Sequence, residues 1–131
     1  IKTINKIYQD QKKVGKYYFK KLSHLKSVYN PINKTKYCDN VYWVYGLVLK
    51  KNSQYNLEKI RKKLFKRGIE TRNFFWPLNK QPILKKMGYF KNQKFPVSEY
   101  ISKHGFYIPS GLGLKKKDQD YVIKIICELL D

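Results

Sequence analysis

The chain has 131 residues and a formal net charge of +20, with 42% hydrophobic and 16% aromatic residues. That length suits one domain with a modest core, and the apolar content excludes intrinsic disorder. The longest apolar run, Val41–Leu49, is too short to span a bilayer, and Ile1–Leu25 lacks a signal peptide's apolar core.

Ile1 in place of an initiator Met reads as a cut end. Ile4, Ile7, Val14, Tyr18, Leu22 and Leu25 recur at helical spacing with lysines opposite, which predicts a long leading helix. Asn30-Pro31 stops it, since the residue before proline is pushed out of the helical region. Residues 1–29 are therefore expected to form an entry helix and residues 30–131 a small α+β domain. Ile32–Asn40 reads as a loop. Val41–Lys50 is apolar on both alternating faces and predicts a strand covered on two sides. Asn56 suits the N-cap of a helix through Leu57, Ile60, Leu64 and Phe65, and Gly68 suits its left-handed exit. Ile69–Phe75 follows as a second strand. Pro77 and Pro82 keep the next segment irregular, and Ile83–Met87 forms one turn. Pro96 opens a short helix, Val97–Lys103, closed by Gly105. Phe106–Ile108 is a brief strand before the Pro109–Gly113 turn. Asp118 and Asp120 favour the start of a last helix, whose apolar face is Val122, Ile123, Ile126, Leu129 and Leu130. The expected fold is α+β, a long leading helix followed by about three mainly antiparallel strands backed by helices.

The charge invites a nucleic-acid reading, because any strongly basic chain attracts polyanions. Yet only Arg61, Arg67 and Arg72 are arginines, and the other 26 basic residues are lysines. Base and phosphate readers lean on arginine's planar fork. The chain has no alanine, while Ile, Asn, Lys and Tyr abound, the bias of an AT-rich genome. Compositional drift and steering of an anionic substrate both explain the charge. Cys38 and Cys127 have no metal-like spacing and are expected to be reduced and buried, which suits the cytoplasm.

Catalytic groups are scarce. His24 falls on the polar side of the leading helix, and His104 precedes a helix-ending glycine. The sequence contains no Gly-rich phosphate loop, zinc pattern or nucleophile elbow. The distinctive stretch is Glu70–Pro82, where Arg72 precedes Phe74, Phe75 and Trp76. Such a group faces a planar or anionic ligand, or else packs as a strand edge beneath its own loop.

This stretch resembles the equivalent segment of the DegT/DnrJ/EryC1/StrS aminotransferases, fold-type-I enzymes that aminate keto sugars on nucleotide carriers. Asn40–Gly46 is similar to the first strand of their C-terminal domain, and Arg67–Arg72 to a helix exit and second strand. Phe95–Glu99 and Gly105–Leu112 resemble the closing helix and strand, and Ile1–Val28 the helix joining large and small domains. The Thr-Arg-x-Phe-Phe-aromatic-Pro-Leu and Phe-Tyr-Ile-Pro-Ser-Gly-Leu variants look most like the GDP-perosamine synthase branch. Asn79 stands where relatives often have His.

The resemblance implies the small C-terminal domain of a homodimeric, cytoplasmic enzyme that moves an amino group from L-glutamate to a 4-keto-6-deoxy sugar nucleotide. It places pyridoxal phosphate, with its lysine, in a large domain absent here, so the 131 residues alone are expected to be inactive. Catalytic, cofactor-binding and metal residues are then expected to be none in this chain. In the family the small domain forms one wall of a site at the dimer interface. By that likeness Arg72 offers a bidentate contact to an anionic group, and Phe74 and Phe75 pack on sugar or base. Trp43 is either core or a fourth wall residue. The alternative is a non-catalytic basic module that binds nucleic acid or a protein partner. A nucleic-acid surface would gather lysines and exposed aromatics on one face. Here the lysines are scattered and the aromatics fall in apolar strands, so no specific nucleic-acid partner is expected, and no membrane.

Overall fold

The computed structural model describes residues 2–131, and Ile1 of the leading helix lies outside them. The elements run α1 (Lys2–Leu22), β1 (Val28–Tyr29), β2 (Tyr45–Leu49), α2 (Leu57–Lys66) and β3 (Arg72–Asn73). A 3-10 turn (Leu78–Lys80), α3 (Pro82–Lys86), α4 (Pro96–His104), β4 (Gly105–Ile108) and α5 (Lys116–Leu130) complete the chain. The strands form one antiparallel sheet in the order β1-β2-β4-β3, so the α+β expectation holds with one strand more than foreseen.

The leading helix ends at Leu22 and does not run to residue 29. The Leu22 carbonyl accepts from the Leu25 N–H at 3.2 Å and from Asn30 Nδ2 at 3.1 Å, which together hold the turn that ends the helix. The chain then turns, and Val28 and Tyr29 pair with Leu49 and Val48 as an unforeseen strand. Tyr18 and Leu22 of α1, with Leu25 and Val28, are buried in the same core as residues beyond Asn30. The core thus draws on both sides of the expected 29/30 boundary.

Inside β2, every second side chain (Tyr45, Leu47, Leu49) is buried, as are Phe106 and Ile108 opposite. Ile60 and Leu64 of α2 and Val122, Ile125, Ile126 and Leu130 of α5 close over that face with α1. Burying one such side chain stabilises the fold by about 1.5–3 kcal/mol. Three tyrosines share this core. The Tyr18 and Tyr45 rings lie 5.0 Å apart, and those of Tyr42 and Tyr45 5.8 Å. Each phenol has an acceptor: Pro109 O for Tyr18, Asn33 Oδ1 for Tyr42 and Asn30 Oδ1 for Tyr45. Burial pushes the Tyr18 and Tyr45 phenols far above their usual range, so they stay neutral donors.

Local signals performed as the residues dictate. Asn56 Oδ1 accepts from the Lys59 N–H at 3.0 Å, and Gly68 takes φ 73° beyond the end of α2. Pro82 and Pro96 each open a helix. Asp118 lies in the first turn of α5, whereas Asp120 accepts from Tyr17 and pairs with Lys116. Cys38 is exposed and Cys127 half-buried, both free, so the expected burial of the two thiols is not met.

Candidate functional site

The second sheet face positions the site. Antiparallel partners project to the same side, so Tyr29, Val48, Gly46, Gly105, Tyr107 and Arg72 share the face away from the core. β2 was expected to be covered on both sides. Instead this face carries half-buried Gly46 and Val48 beneath a cleft of about 1060 Å³, bordered by Tyr100 and Ile101 of α4.

Two of the expected strands are shorter than foreseen. Residues 41–44 leave the strand because Tyr42 takes a left-handed φ of 54°. Three hydrogen bonds and packing hold it there. Its N–H donates to Asn40 Oδ1 at 2.7 Å, its carbonyl accepts from Gln11 Nε2 at 2.6 Å, and its hydroxyl meets Asn33. Gln11 Nε2 also donates to Ser110 O, tying the turn to the end of β4. The Tyr42 ring fills the space above Gly15 of α1. The reversal buries Tyr42 and turns Trp43 outward, and Trp43 is 71% exposed. In the second case, Ile69–Phe75 contributes only Arg72 and Asn73 to the sheet. Arg61 is responsible: Nη2 takes the Thr71 carbonyl at 3.1 Å, Nε takes Thr71 Oγ1, and Nη1 takes Asn73 Oδ1.

Of the four expected wall residues, three come together. The Phe74 ring occupies the space beside Gly46 and Gly105, and its centroid is 4.3 Å from that of Tyr107. Phe75 is 69% exposed and meets Tyr107 edge-on at 6.0 Å. Trp43 and Phe75 are near parallel, 16° apart in plane, with centroids 6.3 Å apart. Trp43 is therefore a surface residue and not core. Arg72 is exposed at the sheet edge, opposite Tyr107 in register, and does not line the cleft. Its side chain makes no hydrogen bond or ion pair among the described residues.

The sequence reading missed Tyr107 and Tyr100. Tyr107 alternates with buried Phe106 and Ile108, a period-two signal that places it on the open face. Tyr100 donates to the Leu49 carbonyl, and its ring centroid lies 4.5 Å from that of His104. Burial, with Lys103 nearby, lowers the His104 pKa, so its imidazole is neutral near pH 7. His24 is exposed on the turn after α1.

Asn79 has a defined place. Its Nδ2 donates to Glu99 Oε1 at 2.8 Å, and Lys80 Nζ meets Glu99 Oε2 at 3.0 Å, tying the 3-10 turn to α4. Lys80 and then Asn79 hold the Glu99 carboxyl below its usual pKa. A carboxyl depressed in the folded state contributes above its unfolded pKa, and that contribution is lost as pH falls through the folded value. Amide exchange protection at Lys80 and Gln81, which donate to the Pro77 and Leu78 carbonyls, is expected to fall as pH drops below the ordinary glutamate range, as measured by NMR. Glu99→Gln should remove the pH dependence; a drop that persists in that variant would locate the titrating group elsewhere.

The open cleft holds Lys50 and Lys51 and no carboxylate. Lys94 borders an adjoining hollow with Phe74 and Phe75. A pyridoxal phosphate pocket needs an acidic partner for the ring nitrogen and a phosphate cradle beside its lysine, and this lining does not fit that group. No cluster of His, Cys, Asp or Glu among the described residues could hold a metal ion. Nor is any helix among them long and apolar enough to cross a membrane. Exposed Trp43, Phe65, Phe75 and Trp76 correct the expectation that the aromatics sit in apolar strands.

Comparison with curated proteins found no match. Among solved structures, Helicobacter pylori PseC, an aminotransferase of pseudoaminic acid biosynthesis, is similar with TM-score 0.82 at 13% identity, over 98% of this chain and 34% of that one. S. venezuelae DesV gives 0.78 at 16% identity, over 97% of this chain and 33% of its own. A DegT DnrJ EryC1 StrS aminotransferase from Brucella abortus gives 0.77 at 18%, over 95% and 31%. A similar Streptococcus pneumoniae chain was solved in a PMP form. This chain thus spans about a third of the length of the structures it matches and shares their fold. The DegT/DnrJ/EryC1/StrS aminotransferase family model matches residues 1–127, and the chain belongs to that family.

Proposed function

We propose that the chain is the small C-terminal domain of a nucleotide-sugar aminotransferase. The working protein would move an amino group from L-glutamate to a 4-keto-6-deoxy sugar nucleotide, in the manner of GDP-perosamine synthesis. The family match over residues 1–127 carries this reading. An open aromatic cleft with lysines and no carboxylate supports it, since the substrate is an anion with apolar faces. Pyridoxal phosphate would supply the electron sink from outside these 131 residues. The same reading makes the protein a cytoplasmic homodimer.

In this setting the chain's own residues bind and orient. Phe74 is fixed by two glycines, so it serves as a rigid floor. Phe75 and Trp43 present apolar faces. Arg72, free of partners among the described residues, keeps a planar fork available for an anionic oxygen at the sheet edge.

The test uses the full-length protein with pyridoxal phosphate, and the 131-residue chain as an inactive control. Arg72→Lys is expected to weaken amino transfer to the keto sugar by about 1–3 kcal/mol, the range for a charge-assisted contact. Single-turnover release of 2-oxoglutarate from L-glutamate should stay unchanged, because that half-reaction does not use the sugar pocket. Equal loss in both halves, or in neither, removes Arg72 from the substrate site. Failure to aminate any keto sugar nucleotide rejects the functional reading itself.

A further inference from the structure

We propose that Trp43 and Phe75 form the two jaws of a clamp that takes the planar base of a nucleoside diphosphate between them. The inference rests on the functional reading above and assigns the base to a particular pair of rings.

Geometry comes first. Atoms in stacking contact sit about 3.5 Å apart, so a planar ring held between two others needs roughly 7 Å. Trp43 and Phe75 are within 16° of parallel, with centroids at 6.3 Å. Centroid distance counts sideways slip as well as gap, so a base enters when the pair opens until its planes stand roughly 7 Å apart. The rings also cover little of each other, being 71% and 69% exposed. A pair that had closed on itself would have hidden more of both faces.

Each jaw is carried by an anchored neighbour. Trp43 follows Tyr42, whose ring is buried over Gly15 and whose left-handed backbone is held by Asn40 and Gln11. A bulky residue in that region costs on the order of 1–3 kcal/mol, and such strain persists where the surroundings over-determine it. Phe75 follows Phe74, locked over Gly46 and Gly105 and against Tyr107. The backbone under both rings is fixed while the rings stay open, as preorganised recognition requires.

Charge selects the rest of the ligand. Lys94 lies beside Phe75, and Arg72 stands opposite Tyr107 on the same sheet face. Lys50 and Lys51 border the far end of the cleft, and no carboxylate lines it. Planar apolar rings with Lys94 and Arg72 on their side of the sheet fit a base that carries phosphates.

The experiment measures binding of guanosine diphosphate and of inorganic pyrophosphate to the full-length protein by calorimetry. Stacking on one aromatic side chain is worth enough that Trp43→Leu and Phe75→Leu should each raise the Kd for guanosine diphosphate about tenfold. Pyrophosphate affinity should move less than about twofold, since it has no ring to stack. Trp43→Phe, which keeps a ring, should retain most of the affinity. Unchanged guanosine diphosphate affinity in both leucine variants overturns the clamp, as does a loss shared equally by pyrophosphate. Amino transfer separates the two ideas. A protein that aminates keto sugar nucleotides but binds the diphosphate independently of Trp43 and Phe75 has lost the clamp alone. Ring-dependent binding without amino transfer keeps the clamp and rejects the reading beneath it.

Discussion

Gly15→Ala is expected to destabilise the chain by about 3 kcal/mol, although alanine is the better helix former by about 1 kcal/mol. Gly15 lies within α1, and a methyl group there would fall inside the Tyr42 ring. Tyr42 cannot step aside cheaply. Moving it gives up hydrogen bonds to Asn40, Gln11 and Asn33, each worth about 1 kcal/mol net. Urea unfolding should show the loss as a lowered midpoint with an unchanged slope. The decisive comparison repeats Gly15→Ala in a Tyr42→Gly background. Glycine accepts φ 54° without strain and removes the ring, so the alanine should there become neutral or stabilising. The same loss in both backgrounds would mean that another contact constrains α1.

The second large effect concerns Phe74. Gly105→Ala should cost about 2–3 kcal/mol, because the added carbon would overlap the Phe74 ring and stand 2.6 Å from the Ile101 carbonyl oxygen. Gly46→Ala meets the Cζ end of the same ring at 2.5 Å, and its three nearest neighbours are all atoms of that side chain. Phe74→Leu should therefore relieve most of the Gly46→Ala cost and only part of the Gly105→Ala cost, since a backbone oxygen remains in the way. Double-mutant cycles on thermal unfolding read both couplings. Additivity at both glycines would show that Phe74 is not seated on them.

How far the sequence revealed this arrangement varied with the kind of signal. Caps and starts were legible because each is set by one or two residues: Asn56, Gly68, Pro82 and Pro96 each act on the nearest backbone. The end of α1 was not, since Asn30 reaches back eight residues to the Leu22 carbonyl and no periodicity encodes that contact. Strand lengths failed for a related reason. Val41–Leu49 is uniformly apolar, yet a left-handed Tyr42, held by a glutamine 31 positions earlier, cuts it short. Thr71 gives its carbonyl to Arg61 on one side, and β4 begins only at Gly105 on the other, so Arg72 and Asn73 alone stay in the ladder. The wall residues Phe74, Phe75 and Trp43 were expected from the family likeness, with Trp43 equally a candidate for the core, and the structure places the three rings together. Arg72 was singled out for its rarity, and the structure sets it at the sheet margin beside them.

The sheet's proportions have a consequence for how this basic molecule keeps to itself. Its two outer strands, Val28–Tyr29 and Arg72–Asn73, are two residues each. A rim that short offers a neighbouring chain almost no run of free amide and carbonyl groups to extend, and strand-by-strand growth needs such a template. The longer strands, Tyr45–Leu49 and Gly105–Ile108, are paired on both sides. Exposed rings can therefore remain on the open face without sheet edges that would turn sticky encounters into fibrils.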